Sequence, residues 1–369
     1  MFCVGMSLIL SLDGNRGLAD DRRLSRRPAR AGRARGIRGG HLGLKLVVQI
    51  PALNEEKTVG DVIRRVPRRI EGVDEVRVVV VDDGSTDRTA ALAQAAGAHV
   101  IRHSRRRGVG AAFRSGLAYA TEAGADVVVT IDADGQFDPA DIPTVAGPVI
   151  RGEADFVTAS RFLDPALAPE MPRVKRWGND LVARWISSMT GERFHDVSCG
   201  FRAYAPAAYL RLVLLGEFTY THETFLSLAF GGVRIREVAV RVEGVRKHGR
   251  SRVAGNLWNY GWRAASIVLK TYRDYRPLRF FGYLALLLLA LSLGFLAFLL
   301  SVRIRTGLFS PHKWSGFVAA SLAGAALLVY LVGMVAEMLD RLRATQDEAL
   351  FRLRRMEQTL KERREPPAA

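Results

Sequence analysis

The chain has 369 residues, 49% of them hydrophobic, with 54 Lys and Arg against 37 Asp and Glu, a formal net charge of +17. That length allows two ordinary domains or one domain with appendages. Two cysteines, Cys3 and Cys199, exclude a disulfide framework, and the excess charge, which gathers beside apolar runs, argues against nucleic acid as the partner.

Residues 1–43 are rich in Arg and Gly and lack apolar periodicity. No basic residue precedes the apolar Met1–Leu10, so it is a poor signal peptide. A disordered basic arm is expected. Order begins at LKLVVQIPALNEE, with a short strand over Leu44–Ile50 that stops at Pro51 and a helix from about Lys57 to Val66. EVRVVVVDDGSTDRT reads as a second strand, followed by a helix from near Thr86 to Gly97. AHVIRH is a third strand, GVGAAFRSGLAYATEAG a helix and ADVVVTIDADGQ a fourth strand. Continuous apolar strands alternating with helices indicate an α/β fold whose mostly parallel sheet is covered on both faces. Ligands of such sheets bind beyond the carboxyl ends of the strands. Pro51-Ala-Leu-Asn-Glu, Asp82-Asp83-Gly-Ser and Asp132-Ala-Asp all fall there.

Farther along, ADFVTASRF reads as a strand, RVKRWGNDLVARWISSMTG as a helix, HDVSCGFRAY as a loop with a short strand, FTYTHETFLSLAFGG as a helix and VRIREVAVRVEG as a half-buried strand. The folded domain is expected to span 44–255. Residues 256–279 place Leu257, Trp258, Trp262, Ala265, Leu269 and Tyr272 at helical spacing among basic residues, the pattern of a juxtamembrane amphipathic helix. Phe280–Val302 is an uncharged run of 23 residues, about 34 Å as a helix, and Gly316–Ala336 is a second. Two transmembrane helices, 280–302 and 315–338, are expected to form a hairpin within 280–339. Twelve Lys and Arg lie between Arg234 and Arg279 against three acids. Positive charge beside a span marks its cytoplasmic side. The domain and both termini are therefore expected at the cytoplasmic face of the cell membrane. Residues 340–369 are expected to form a cytoplasmic helical tail, and the repeat of Leu339, Leu342, Leu350, Leu353, Met356 and Leu360 from just before it suggests a short coiled coil.

The strand Val127–Thr130 is built for burial, yet three carboxylates follow within a few residues: Asp132, Asp134 and Asp138. An Asp-x-Asp at a strand end suits one hard cation, Mg2+ or Mn2+, which takes oxygen ligands and keeps waters and substrate phosphates in its shell. Asp82 and Asp83 close another strand and add acid to the same edge. Other patterns fail. Gly108-Val109-Gly110 is followed by Phe113 where a dinucleotide fingerprint needs glycine. There is no P-loop, and His222-Glu223 is followed by Leu226 where a zinc protease needs histidine. His195 and His248 read as solvated or internally satisfied.

Together, IPALNEEKTVGDVI, VVVVDDGSTDRT, RGVGAAFRSGL, TIDADGQFDP, SRF and SCGFRAY resemble the family-2 glycosyltransferases of GT-A fold. The chain is most similar to the polyprenyl-phosphate, dolichol-phosphate mannosyltransferase-like branch, over about residues 44–256 and in its membrane hairpin. The resemblance implies a Rossmann-like catalytic domain and a nucleotide sugar held by Pro51, Ala52, Asn54, Glu55, Asp83, Arg107 and Asp132. It implies metal at Asp132 and Asp134, with Asp134, Gln136 and Arg161 closest to the chemistry. Arg176, Asn179, Ser251 and Arg252 would meet the acceptor phosphate. Arg252 stands where the family has Lys in a GESKL segment, and Arg250 replaces its acid. Three readings compete: a transferase acting on polyprenyl phosphate, one acting on a polysaccharide or a non-phosphate lipid, and a membrane scaffold with an inactive domain. The absence of QxxRW speaks against a processive synthase, and the intact Asp83, Asp132 and Asp134 speak against a scaffold. Small residues in AASLAGAALLVYLVG permit close helix packing and leave a homo-oligomer open.

Overall fold

The computed structural model describes residues 43–169, 171, 173–212, 221–243, 266, 269–270, 272–309 and 312–364. The basic arm, Arg250, Ser251, Arg252 and most of the amphipathic segment lie outside the described residues.

Among the described residues, seven strands form one sheet: β1 (Lys45–Ala52), β2 (Glu75–Asp82), β3 (His99–Arg102), β4 (Val127–Thr130), β5 (Phe156–Ser160), β6 (Arg202–Tyr204) and β7 (Ile235–Ala239). Their order is β3-β2-β1-β4-β6-β5-β7. All neighbours are parallel except β6, which runs antiparallel to both β4 and β5. The reason is topological. After β5 the chain stays near the carboxyl edge, where Arg161 meets Asp196, and so enters β6 from that edge.

Strand β1 runs on through Pro51 to Ala52 instead of stopping before the proline. Gln49 accepts from Ile131 on the β4 side, whereas Ala52 accepts from Asp83 on the β2 side. Alternate residues face alternate neighbours, so the missing N–H of Pro51 faces β4. The β1–β4 ladder ends at Gln49–Thr130, and the proline therefore breaks no ladder bond.

Helices α1 (Val59–Arg64), α2 (Thr89–Ala95) and α4 (Ile142–Ile150) cover one face of the sheet. Their Val59, Val62, Ile63, Ala93, Ile142 and Val145 pack on Leu46, Val48, Ile50, Val80 and Val129. Helices α3 (Val109–Glu122), α5 (Arg173–Thr190), α6 (Pro206–Tyr209) and α7 (Thr221–Phe230) cover the other. There Phe156 stacks on Tyr204 at 5.0 Å and meets Phe225 edge-on at 5.8 Å, all three fully buried. Tyr209 donates its hydroxyl to the Ala125 carbonyl at 2.7 Å and ties α6 to the entry of β4.

Helices α8 (Pro277–Thr306) and α9 (Lys313–Arg364) form the hairpin. Each is long and apolar enough to cross a bilayer. Gly307 at φ +72° ends α8 in a left-handed cap. Small residues let the two helices meet: Ser292 Oγ donates to the Ala319 carbonyl at 2.7 Å, and a Cβ on Gly333 would stand 2.8 Å from that of Phe281. Beyond the second apolar run α9 continues unbroken and docks on the sheet domain. Arg354 donates to the carbonyls of Leu210 and Leu212, Arg211 pairs with Glu348 at 3.1 Å, and its guanidinium covers the buried Phe351 ring at 4.0 Å. Of the amphipathic segment, the described end also packs inward: Tyr275 stacks on Phe230 at 4.8 Å.

Replacing Phe156 by Ala is expected to cost about 3–5 kcal/mol, because a fully buried ring inside a three-ring cluster leaves a cavity. Thermal unfolding of the full chain in detergent checks this, against Phe156→Leu, which should recover most of the loss.

Candidate functional site

The site forms where β1, β2 and β4 end side by side. Past β1, Asn54 takes a left-handed φ of +51°, which asparagine tolerates through its short polar side chain. Its N–H donates to Ser85 Oγ at 2.8 Å, and its Oδ1 accepts from the Thr86 N–H at 2.8 Å. The Glu55 N–H donates to Thr89 Oγ1, also at 2.8 Å. The loops after β1 and β2 are thus zipped together, and Pro51, Ala52, Asn54 and Glu55 share one rim with Asp82 and Asp83.

Asp82 is fully buried. Its Oδ1 accepts from the Ser85 N–H, and its Oδ2 lies 3.3 Å from Arg102 Nε, an ion-pair distance without hydrogen-bond alignment. Asp83 is also buried and is committed inward. Its carboxylate accepts from the N–H of Arg107 at 2.9 Å and of Gly108 at 2.8 Å, and meets His103 Nδ1 at 2.8 Å. His103 Nε2 reaches Ser115 Oγ at 2.9 Å. Asp83 therefore shapes the 103–108 loop that enters α3, and Arg107 is placed through its backbone. Gly84, at φ +79°, allows this turn, since a Cβ there would come within 2.8 Å of the Arg105–Arg106 backbone.

After β4, Asp134 is buried and accepts from the Gln136 N–H at 3.0 Å, closing a tight Asp turn. Gln136 Nε2 donates to the Glu243 carbonyl and its own carbonyl accepts from the Glu243 N–H, both at 3.0 Å. The turn is thereby fastened to the chain after β7. Asp132 is half-buried against Gly200, where an added Cβ would stand 2.9 Å from Oδ2 and 3.3 Å from Oδ1. Only glycine leaves this carboxylate its place. Among the described residues no three His, Cys, Asp or Glu cluster to enclose a metal on their own. Two carboxylates at a strand end still fit Mg2+ or Mn2+, which draw remaining ligands from water and substrate phosphates. The donor set is hard oxygen, with no thiolate or imidazole to favour a softer metal.

Beside β5, Arg161 makes a two-pronged pair with the fully buried Asp196, Nε–Oδ2 at 2.6 Å and Nη2–Oδ1 at 2.9 Å, and donates to Ser198 Oγ at 2.6 Å. Burial pushes the Asp196 carboxyl up, but the Arg161 charge and hydrogen bonds from Arg161 and Ser198 outweigh it and hold it below the usual carboxylate range. Ser198 donates to Asn179 Oδ1 at 2.8 Å, and Asn179 Nδ2 donates to the His195 carbonyl at 3.3 Å. Arg161 and Arg176 lie 5.3 and 6.0 Å from the Phe162 ring. The structure thus gathers Arg161, Arg176 and Asn179 into one cluster. Arg161 is oriented by Asp196 within it. His195 is satisfied internally, as expected, by Glu237 at 2.8 Å. Cys199 is buried, and burial followed by the Asp196 charge pushes its thiol up to about 12, leaving no thiolate for chemistry near neutral pH.

Sequence reasoning missed His103, Ser115, Asp196, Gly200 and Arg202. Arg202 is fully buried and donates to the carbonyls of Cys199, Thr221 and Val197 at 2.7, 2.9 and 3.0 Å. The available signal was Asp196, Cys199, Gly200 and Arg202 within HDVSCGFRAY, polar chemistry packed densely against a strand.

Asp196→Asn should cost about 3–5 kcal/mol at pH 7, because it removes the fully buried carboxylate that grips the Arg161 cation from two sides. The folded Asp196 pKa lies below its ordinary 3.8, so its contribution is full above 3.8 and fades as pH falls through the lower folded value. Unfolding followed from pH 7 downward should show parent and variant converging only below pH 3.8.

The sequence matches the family model of glycosyl transferase family 2 over residues 47–213. An uncharacterized protein of Methanocaldococcus jannaschii is 33% identical over 201 residues, which cover 53% of this chain and 81% of that protein. A UDP-N-acetylglucosamine–dolichyl-phosphate N-acetylglucosaminyltransferase of Methanococcus voltae is 33% identical, over 43% of this chain and 68% of its own length. A dodecaprenyl-phosphate galacturonate synthase of Rhizobium johnstonii is 29% identical over 333 residues, 83% of this chain and 91% of that protein. With its mostly parallel GT-A-like sheet and the Asp132/Asp134 turn at the sheet's carboxyl edge, the chain belongs to glycosyl transferase family 2 and is a glycosyltransferase.

Proposed function

We propose that this enzyme transfers a hexose from a nucleoside-diphosphate sugar, of the GDP-mannose or UDP-glucose type, to a polyprenyl phosphate at the cytoplasmic face of the membrane, with inversion at the anomeric carbon. The observation that carries the reading is the Asp132/Asp134 turn at the sheet's carboxyl edge in a chain that continues into a membrane hairpin. The Methanococcus and Rhizobium relatives, whose names specify dolichyl and dodecaprenyl phosphate, support it.

The reaction forms a bond from an acceptor phosphate oxygen to the anomeric carbon and breaks the bond from that carbon to the diphosphate, which leaves with its nucleoside. A phosphate monoester has a second pKa near ~6 and is already largely dianionic at pH 7, so it needs no strong base. Its difficulty is repulsion from a second anion. Asp132 and Asp134 would hold a divalent cation, Mg2+ or Mn2+, whose positive charge would stabilise the departing diphosphate. The rim of Pro51, Ala52, Asn54 and Glu55 holds the nucleotide. Asp83 serves the nucleotide indirectly, by fixing the Arg107 backbone. Gln136 holds the Asp134 turn beside the sugar. Arg161 is a positioning residue that keeps Ser198 and Asn179 in place, while Arg176, Asn179, Ser251 and Arg252 receive the acceptor phosphate. Arginine suits that task because its planar fork binds phosphate oxygens in pairs.

The test is a transfer assay with purified enzyme, undecaprenyl phosphate, Mg2+ or Mn2+ and a panel of labelled nucleotide sugars, with EDTA as control. A labelled lipid from one donor, lost on chelation, supports the reading and names the sugar. Nucleotide binding without labelled lipid from any donor favours a non-phosphate lipid or polysaccharide acceptor. Asp134→Ala should abolish turnover while the protein stays folded; wild-type rates in that variant remove the metal from the account.

Gly200→Ala should lower turnover about 10- to 100-fold with little change in the thermal midpoint, because the new methyl displaces the Asp132 carboxylate without opening the core. Unchanged turnover would show that the carboxylate adjusts at no cost.

A further inference from the structure

Along its length, α9 has two opposite faces with different fates. One line of residues at seven-residue spacing is used inside the chain throughout. Ala319 and Ala326 are buried, and Gly333 packs on Phe281 and Leu278 of α8. On the same side, beyond the apolar run, Phe351 is buried beneath Arg211, Arg354 binds the Leu210 and Leu212 carbonyls, and Glu348 pairs with Arg211. The opposite face repeats as a heptad. Its a positions are Leu339, Gln346, Leu353 and Leu360, and its d positions are Leu342, Ala349 and Met356. The five large apolar members of this seam are 56–62% exposed, and the described residues leave them uncovered.

Lipid cannot cover the far end of the seam, Leu353, Met356 and Leu360. Helix α9 is one uninterrupted helix, and Leu360 lies 24 positions beyond Ala336, the end of the apolar run, which is about 36 Å along the axis. We propose that this seam is the interface with a second copy of the chain, in a parallel, two-stranded coiled coil. Two copies inserted in one membrane send α9 out on the same side, so they are parallel and held at high local concentration. Charge is compatible with that register: Arg352, which pairs with Glu348 along its own helix at 3.0 Å, falls at a g position and Glu357 at the following e position, where a parallel pair brings opposite signs near each other across the interface. Gln346, a lone polar residue at an a position, fixes register in the way a buried polar a residue does. The seam also continues into the span through Leu328, Val332 and Val335, all exposed from the hairpin, so one stripe runs from the bilayer into the tail. The inference rests on the hairpin crossing the bilayer and not on the transfer reaction.

The test uses the full chain in its membrane, in a Cys3→Ser background; the buried Cys199 thiol, pushed up to about 12, stays silent. Single cysteines are placed in the seam, at Leu342→Cys and Leu353→Cys, and on the docked side at the exposed Ala344→Cys. Mild oxidation of the alkali-washed membrane pellet should give a disulfide-linked species of twice the chain mass from the first two and none from the third. In detergent, the parent should have the mass of two copies and Leu342→Glu/Leu353→Glu that of one. Absence of cross-linking at both seam positions, or equal cross-linking at position 344, overturns the proposal, as does an oligomer that survives the double substitution. Protein missing from the washed pellet instead overturns the membrane reading beneath it.

Discussion

The buried carboxylate of Asp83 has no solvent to carry its charge, so it draws N–H groups toward itself, and much of the site follows from that demand. By accepting from Arg107 and Gly108 and meeting His103, it folds the 103–108 loop back over the end of β2. That fold fixes where α3 begins. It also brings the loop within touching distance of Gly84, and no residue with a Cβ could stand there. The neighbouring zipper of Asn54 with Ser85 and Thr86 then ties β1 into the same rim. The rim where β1 and β2 end is a chain of mutually hydrogen-bonded polar groups, which is a rigid arrangement because each member costs energy if it lets go.

The Arg161 cluster beside β5 is built on different physics. Arg161 and Asp196 neutralise each other, and their value lies in orientation: Ser198 and Asn179 are aligned by the pair. A pair of this kind contributes little net stability relative to an apolar replacement, yet is costly to break from one side. It suits a place where geometry matters more than strength. The positive charge of the cluster then reaches outward at Arg176, which is exposed and lies beside the Phe162 ring.

The sheet and the carboxylates at its edge were legible because burial writes a simple code. Val78–Val81 and Val127–Val129 can only be strands covered on both faces, and acids that follow such runs must sit at the carboxyl edge. What stayed hidden is set by long-range contact. Nothing in ASRF shows that Arg161 is claimed by an aspartate 35 positions away, and nothing in SCGF shows that Gly200 is the wall behind Asp132. The antiparallel direction of β6 was equally invisible, since three residues carry too little pattern to report which way they run. The leucine repeat of the tail could be seen, but only the docked side of α9 reveals which of its faces is left over.

The unequal lengths of β1 and β4 have a geometric consequence. From β1 the connection leads by way of α1 to β2 on one side, and from β4 it leads by way of α4 to β5 on the other. Two connections that part in this way leave a crevice between their strands. Because β4 gives up its ladder at Thr130 while β1 continues to Ala52, one wall of that crevice is taller than the other. The taller wall carries the rim of Pro51 and Ala52, and the lower one ends in Asp132 and Asp134. A cleft of this shape is a property of the connectivity itself, present before any ligand arrives and without any loop having to swing away to make it.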